Sequence, residues 1–207
     1  GLVQLIFVAG IVAAIAVTGV IGVTIAHFSR ELPKYQQLLT YQPATGTKIY
    51  AGDGSFMAEF ATEHRIIAPL KDIPPLVVHA FLTAEDRDFY SHGGVNPLAI
   101  FRAAIADIVR YQRGLRPLGA STITQQVVRH FLLTNEVSAG RKIKEAMLAY
   151  QLESELSKDR ILEIYLNEIY LGSGAYGVAA AADTYFGKRL EQLTVADAAF
   201  LAAFPKA

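Results

Sequence analysis

The chain has 207 residues, with 19 Lys and Arg, 19 Asp and Glu, and no cysteine. Its net charge of zero argues against a nucleic-acid-binding protein with a broad basic face, and the lack of cysteine excludes disulfides and thiolate metal sites. The charges are unevenly placed, since the first Lys, Arg, Asp or Glu is Arg30. An ordinary soluble domain does not have this pattern.

The first 28 residues are predicted to form a membrane anchor, because residues 1–26 are nearly all Val, Ile, Leu, Ala and Gly. At 1.5 Å per residue such a helix is about 39 Å long, and a bilayer core is roughly 30 Å thick. A cleaved signal peptide has a shorter apolar core, of about 7–15 residues. We therefore expect a single retained transmembrane helix.

Residues 29–74 are predicted to form a connector that contains a β-hairpin. Its arms, TKIYA and SFMAEFA, hold β-branched or aromatic residues, and the GDG turn at 52–54 can supply positive φ angles. Pro74 and Pro75 mark the boundary with the next part, because proline suits the first turn of a helix.

Residues 75–207 are helical in pattern almost throughout, so the fold class is mainly α with a small β element. Ser138 and Ser157 are candidate caps of two of the helices, and Thr194 with Asp197 resembles a capping box. We expect the C-terminal end of this domain to be truncated. The chain has no phosphate-cradling GxxxxGK[ST] loop, no HExxH and no GxSxG, and its five histidines are scattered.

Three polar clusters are candidates for chemistry. In the first, Glu85 and its charged neighbours lie between an apolar helix and a Gly-rich turn, where a carboxylate suits general acid or base work. In the second, Ser121–Gln126, hydroxyls and amides at a helix start suit sugar hydroxyls or phosphate oxygens. In the third, Arg141–Glu145, three cations oppose the helix dipole, which suggests that they hold a phosphate or pyrophosphate.

Each cluster also has a structural explanation. The first is then a solvated helix end with a Glu85–Arg87 pair, and the second is an N-cap formed by Ser121 or Thr122. The third is an Arg141–Glu145 pair at i,i+4 spacing. A further basic and apolar stretch, 97–116, which includes Arg102, suits contact with lipid headgroups or is an ordinary surface helix.

Taken in order, the motifs resemble the glycosyltransferase family 51 domain, the peptidoglycan glycosyltransferase of class A penicillin-binding proteins and monofunctional transglycosylases. The resemblance covers nearly everything after the anchor. The motifs are EDRDFYSHGGVN (85–96), GASTITQQVVRH (119–130), RKIKE (141–145), KDRILEIYLNEIYLG (158–172) and GAYGVAAAADTYFGK (174–188).

The resemblance implies a lysozyme-like α-helical fold of two lobes, with residues 97–116 in a membrane-embedded jaw. It implies polymerisation of lipid II, with inversion at the anomeric carbon and loss of undecaprenyl pyrophosphate. It also implies single-pass attachment to the bacterial cytoplasmic membrane with the catalytic domain outside. The expected partners are lipid II, the growing glycan strand, membrane lipid and other cell-wall synthesis proteins, but no nucleic acid.

Site residues are carried over by position in the same way. Glu85 matches the catalytic glutamate, thought to be the general base, and Glu145 matches the second essential glutamate. Tyr165 and Asn167 fall in a motif that we interpret as structural packing. The matched or expected substrate-binding residues are Asp86, His92, Arg102, Ser121, Thr122, Gln125, Gln126, Arg129 (where the family usually has Lys), Arg141, Lys142 and Lys144.

No cofactor is required by the sequence, although the resemblance leaves room for a divalent cation, Mg²⁺ or Mn²⁺, at the pyrophosphate. Two other functions share such a fold. One is a membrane-anchored, lysozyme-like enzyme that cleaves glycan, and the other is a non-catalytic cell-wall scaffold. The basic group at 141–144 argues against the first, because cleavage of the polymer involves no pyrophosphate, and the intact Glu85 and Glu145 argue against the second.

Overall fold

The structure, a computed structural model, describes residues 1–41, 47–60, 64–115, 119–133 and 138–206, some of them in α1, β1 and β2 by their backbone alone. The first helix, α1 (Leu2–Ser29), coincides with the predicted anchor. Within the described residues, no helix combines the length and the apolar character needed to cross a bilayer. The anchor is therefore not confirmed and stays a prediction from the sequence.

The connector contains the short helix α2 (Gln36–Leu39) and the predicted hairpin. Its strands, β1 (Thr47–Tyr50) and β2 (Phe56–Phe60), pair antiparallel, with an irregularity in register between Ile49 and Tyr50. The turn between them has Gly54 at φ +83°. A second pair, β3 (His64–Arg65) and β4 (Ala175–Tyr176), is parallel and joins the connector to the helical part.

Among the described residues after Arg65, seven α-helices make up most of the structure. The first of them ends at Glu85, because Asp86 leaves the helical conformation (φ −156°, ψ 76°) and Phe89–Ser91 forms a separate 3₁₀ turn. The seven helices are α3 (Pro75–Glu85), α4 (Pro97–Gln112), α5 (Ile123–Leu132), α6 (Ala139–Glu155), α7 (Lys158–Glu168), α8 (Val178–Phe186) and α9 (Val195–Ala203).

The core is built around α7, which packs against α5 and α8, while α5 also packs against α6 and α3 against α9. Seven side chains of α7 are buried, four of them aliphatic, since the apolar residues recur at helical spacing. The C-terminal end of α3 and the N-terminal end of α5 lie close together, since hydrogen bonds join Asp86 to Ile123 and Glu85 to Gln126.

Helix α4 differs from α3 and from α5 to α9 because none of its residues is buried. Its apolar side chains are open to solvent and alternate with basic ones such as Arg102 and Arg110. This helix is the predicted basic and apolar stretch, except that Arg116 lies outside the described residues. The large exposed apolar residues are Leu98, Ile100, Phe101, Ile105, Ile108, Val109 and Tyr111.

Candidate active site

Glu85 is the last residue of α3 and faces a small cavity of about 270 Å³. Its Oε2 accepts a hydrogen bond of 2.9 Å from Nε2 of Gln126 on α5. Arg87, its alternative partner, is exposed. The cavity is lined by Glu85, Asp86, Arg87, Asp88, Asn96, Ala99, Arg102 and residues 119–122.

Asp86 ties the end of α3 to the beginning of α5. Its carboxylate accepts a hydrogen bond of 3.0 Å from the backbone N–H of Ile123, and Nε2 of His92 lies 2.9 Å from its Oδ2. The side chains of Asp86 and His92 are almost fully buried. Asp86 and His92 therefore act mainly by holding Glu85 and α5 in place, since little of either side chain is open to a ligand.

The first turn of α5 divides the predicted polar cluster in two. Thr122 and Gln125 form a buried capping box, and the Thr122 hydroxyl donates a hydrogen bond of 2.6 Å to the carbonyl of Gly94. Ser121 and Gln126 point instead to Lys142 and Glu85 respectively. The structural explanation therefore applies to Thr122 and Gln125, while the side chains of Ser121 and Gln126 contact the other two candidate clusters.

The third cluster surrounds Glu145, whose side chain is fully buried (0 % exposed). Its oxygens lie 3.2 Å from Nε of Arg141 and 2.7 Å from Nζ of Lys142, and Nζ of Lys142 also lies 2.6 Å from the Ser121 hydroxyl. The i,i+4 pair is thus real, and it is part of a cationic group joined to the start of α5.

Lys144 does not join this group. Its Nζ lies 2.7 Å from the Glu31 carboxylate, just after α1, and the ammonium lies over the ring of Phe28. Glu31 is kept ionised there, because its hydrogen bond and charge pairing with Lys144 lower the pKa of the carboxyl. The structure thus brings Arg141 and Lys142 to the site and turns Lys144 toward α1.

The two remaining predicted arginines lie on different sides of the site. Arg102, on α4, pairs with Asp88 at 3.0 Å on the rim of the small cavity. Arg129, on α5, lines a larger cavity of about 740 Å³ together with Gln126 and Tyr165. The hydrogen-bonded pair of Glu85 and Gln126 therefore lies between the two cavities, with Glu85 lining the smaller one and Gln126 the larger one.

Comparison with known proteins identifies this arrangement. The sequence model of a protein family described as "Transglycosylase" matches residues 53–207, which contain every candidate site residue. The chain belongs to the transglycosylase family. In this transglycosylase domain, Glu85 and Gln126 lie in two of the motifs quoted above and are hydrogen-bonded to each other.

Curated relatives agree with this assignment. The chain is 52 % identical to penicillin-binding protein 1A of Rickettsia felis over 91 % of its own length and 24 % of that protein. It is 42 % identical to penicillin-binding protein 1A of Aquifex aeolicus, over 92 % of its own length and 27 % of the relative. The transglycosylase chain thus spans about a quarter of the length of the curated relatives that it matches.

Among solved structures, the chain is similar to a crystal structure of penicillin-binding protein 1A from Haemophilus influenzae. The match has 27 % sequence identity and covers 81 % of this chain and 15 % of that one. Its TM-score is 0.36. The family assignment therefore rests on the sequence comparisons. The α-helical fold rests on the helices of this chain.

Tyr165, which the sequence assigns to structural packing, also lines the larger cavity. It lies on α7, is 2 % exposed, and its hydroxyl has no hydrogen-bond partner among the residues that the structure describes. Burial and the nearby Glu85 carboxylate raise the pKa of Tyr165 well above its usual value, so the phenol stays protonated. Its apolar neighbours at helical spacing gave only the signal of a packing residue.

The residues around Glu145 do not fit a divalent cation. Both of its oxygens already face protein cations, and a metal ion there would meet their repulsion. In the part of the chain that the structure describes, no three or more His, Asp and Glu side chains assemble into a possible metal site.

Proposed function

We propose that this transglycosylase domain polymerises lipid II into β-1,4 glycan strands, with Glu85 as the general base. The single observation that carries the proposal is the position of Glu85. Its carboxylate faces a cavity, is held by Gln126, and is linked through α5 to the cationic group of Arg141 and Lys142. A hydroxyl nucleophile needs such a base within hydrogen-bond reach.

In the proposed reaction, Glu85 takes the proton from the 4-hydroxyl of the acceptor sugar. The hydroxyl oxygen forms a bond to the anomeric carbon of the lipid-linked donor, and the bond from that carbon to the pyrophosphate breaks. Undecaprenyl pyrophosphate leaves with the bonding electrons. A single displacement inverts the configuration and needs no covalent intermediate, by analogy with inverting glycosidases.

Arg141 and Lys142 are the groups proposed to stabilise the leaving pyrophosphate. They share one carboxylate, Glu145, so the group keeps a net charge of +1. Lys142 is about half exposed (48 %) and can reach a ligand, whereas Glu145 is buried beneath it. Fixed cations placed where negative charge develops lower the barrier without reorganisation.

We propose that the domain lies on the outer face of the bacterial cytoplasmic membrane. Its proposed fold is lysozyme-like, with two lobes. The support is the uncharged run before Arg30 and the open apolar face of α4, whose basic residues suit anionic headgroups. A substrate that carries an undecaprenyl chain lies in the same bilayer. Attachment of the enzyme to this bilayer would therefore keep it beside its lipid-linked donor.

The test is polymerisation of labelled lipid II in detergent or liposomes, with matched carboxamide variants. We expect glycan polymer from the parent and a loss of at least a hundredfold from Glu85→Gln, because general base catalysis contributes roughly 10²–10⁴-fold. Glu145→Gln is expected to be similarly impaired. Glu155→Gln, on the exposed side of the same helix, is the control and should keep the parent rate.

Other outcomes overturn the proposal in distinct ways. Equal rates for the parent and Glu85→Gln would remove Glu85 as the base. Cleavage of peptidoglycan in place of polymerisation would indicate a glycan-cleaving enzyme. Neither activity from the folded parent would indicate a scaffold.

A further inference from the structure

Lys158, the first residue of α7, closes a ring of buried polar contacts around the first turn of α5. The ring starts at the N–H of Ile123, which donates to Asp86, and continues to His92. Nδ1 of His92 lies 3.5 Å from Nζ of Lys158, which donates to Glu153 at 2.8 Å. Glu153 in turn accepts a hydrogen bond from the hydroxyl of Thr124, the residue after Ile123.

The ring joins four elements at one place. It contains the residue after α3, the first turn of α5, the last turn of α6 and the first residue of α7. The side chains of Asp86, His92 and Glu153 are 5 %, 6 % and 8 % exposed, so water screens their interactions little. Lys158 is the one cation of fixed charge in it, and its ammonium also lies 4.4 Å from the ring centre of Phe89.

The donors and acceptors of the ring fix the tautomer of His92. The Asp86 carboxylate accepts hydrogen bonds, so the imidazole nitrogen that faces it, Nε2, carries the proton. The Lys158 ammonium has only donors, so the nitrogen that faces it, Nδ1, presents a lone pair. A proton on Nδ1 would set an N–H against an ammonium group.

We propose that Lys158 is a positioning residue for the transferase reaction. It holds His92 as the neutral Nε2–H tautomer, which donates to Asp86 and so keeps that carboxylate aligned with Ile123. Asp86 directly follows Glu85, and Ile123 lies three residues before Gln126, the hydrogen-bond donor to Glu85. The ring therefore sets the geometry of the catalytic carboxylate without touching it. This inference rests on the proposed function for its kinetic consequence but not for its structural one.

The structural part is tested by ¹⁵N NMR of the full chain labelled at histidine, with the His92 signals assigned by their loss in His92→Gln. In the parent at neutral pH we expect Nε2 to be protonated and Nδ1 to be bare. Lys158→Met removes the donor to Nδ1 and should produce a mixture of tautomers. Lys158→Arg, which retains donors and charge, should restore the parent pattern.

The kinetic part is tested by polymerisation of lipid II with the same variants. Lys158→Met should lower kcat roughly ten- to hundredfold with little change in KM, because small displacements of catalytic groups cost about that much. Lys188→Met is the matched control, since Lys188 also pairs with a carboxylate (Asp197, 2.7 Å) and lies over an aromatic ring (Phe186). It should keep the parent rate and the His92 signals.

Each result decides one claim. An unchanged His92 tautomer in Lys158→Met overturns the inference, and so does a fall in kcat of the same size in Lys188→Met. An inactive parent overturns the proposed function and leaves the NMR result to decide the role of Lys158 in the ring. Failure of Lys158→Arg to recover both readouts would show that Lys158 acts only through packing.

Discussion

Tyr165 carries a hydroxyl whose burial is not offset by a hydrogen bond within the residues that the structure describes. A hydroxyl taken out of water without a partner has a cost, whereas phenylalanine fills nearly the same space without it. The cavity that contains Gln126 and Arg129 also contains Tyr165. The hydroxyl itself is buried, so lining the cavity does not offset the cost of removing it from water.

We predict that Tyr165→Phe leaves the free energy of unfolding unchanged or slightly raises it, because no hydrogen bond within the described residues is lost. The control is Tyr41→Phe, which removes a hydrogen bond of 2.6 Å to the buried carboxylate of Glu168. That change should cost about 1–3 kcal/mol. Urea denaturation of both variants measures the difference, and a cost for Tyr165→Phe equal to that of Tyr41→Phe contradicts the prediction.

At the scale of secondary-structure elements, the loop between α3 and α4 depends on a glycine. Gly94 has φ +86°, a conformation that other residues rarely adopt, and a Cβ there would lie 2.6 Å from the backbone carbonyl oxygen of Ala149 on α6. Its own carbonyl accepts the hydrogen bond of the Thr122 hydroxyl. The loop is thus pressed between α6 and the start of α5.

Gly94→Ala is expected to destabilise the domain by about 2 kcal/mol or more, because backbone strain of this kind costs roughly 1–3 kcal/mol and the overlap with α6 adds to it. Gly93→Ala is the matched control: a Cβ at residue 93 meets nothing within 4 Å, and the backbone there is not left-handed. Thermal unfolding of both variants, followed by circular dichroism, tests the difference. Similar melting temperatures for the two would contradict it.

Local features of these elements could be predicted from the sequence, and long-range ones could not. Ser138, Ser157 and Thr194 cap their helices as predicted, because a cap depends on residues three positions apart. The direction of Lys144 depends on where α1 packs. The clusters at Glu85 and Glu145 could be named from sequence pattern, but the ring through Lys158 joins four separate elements and has no local signal.

For the whole molecule, the proposed anchor makes the sharpest prediction. Lysine at the middle of a membrane helix costs about 2.5–3.5 kcal/mol. We expect Ile11→Lys combined with Ile15→Lys to move a large part of the expressed protein from the membrane fraction to the supernatant after ultracentrifugation. Ile49→Lys, at an exposed position on β1, is the control and should stay with the membranes. An unchanged distribution of the double variant between the two fractions would contradict the proposal that α1 anchors the protein in the membrane.

The contact between α1 and α6 has a consequence for how a polymer grows. Glu31 pairs with Lys144, and Gly140 lies so close to Phe28 that a Cβ there would be 3.0 Å from its ring. Helix α6, which carries the cationic group, is thereby seated on the end of α1. With α1 in the bilayer, as we propose, the pyrophosphate group of a donor would be bound at a fixed height above the lipid surface. The growing glycan would then move relative to an active site of fixed position. Each new donor would bind at the same depth relative to the membrane.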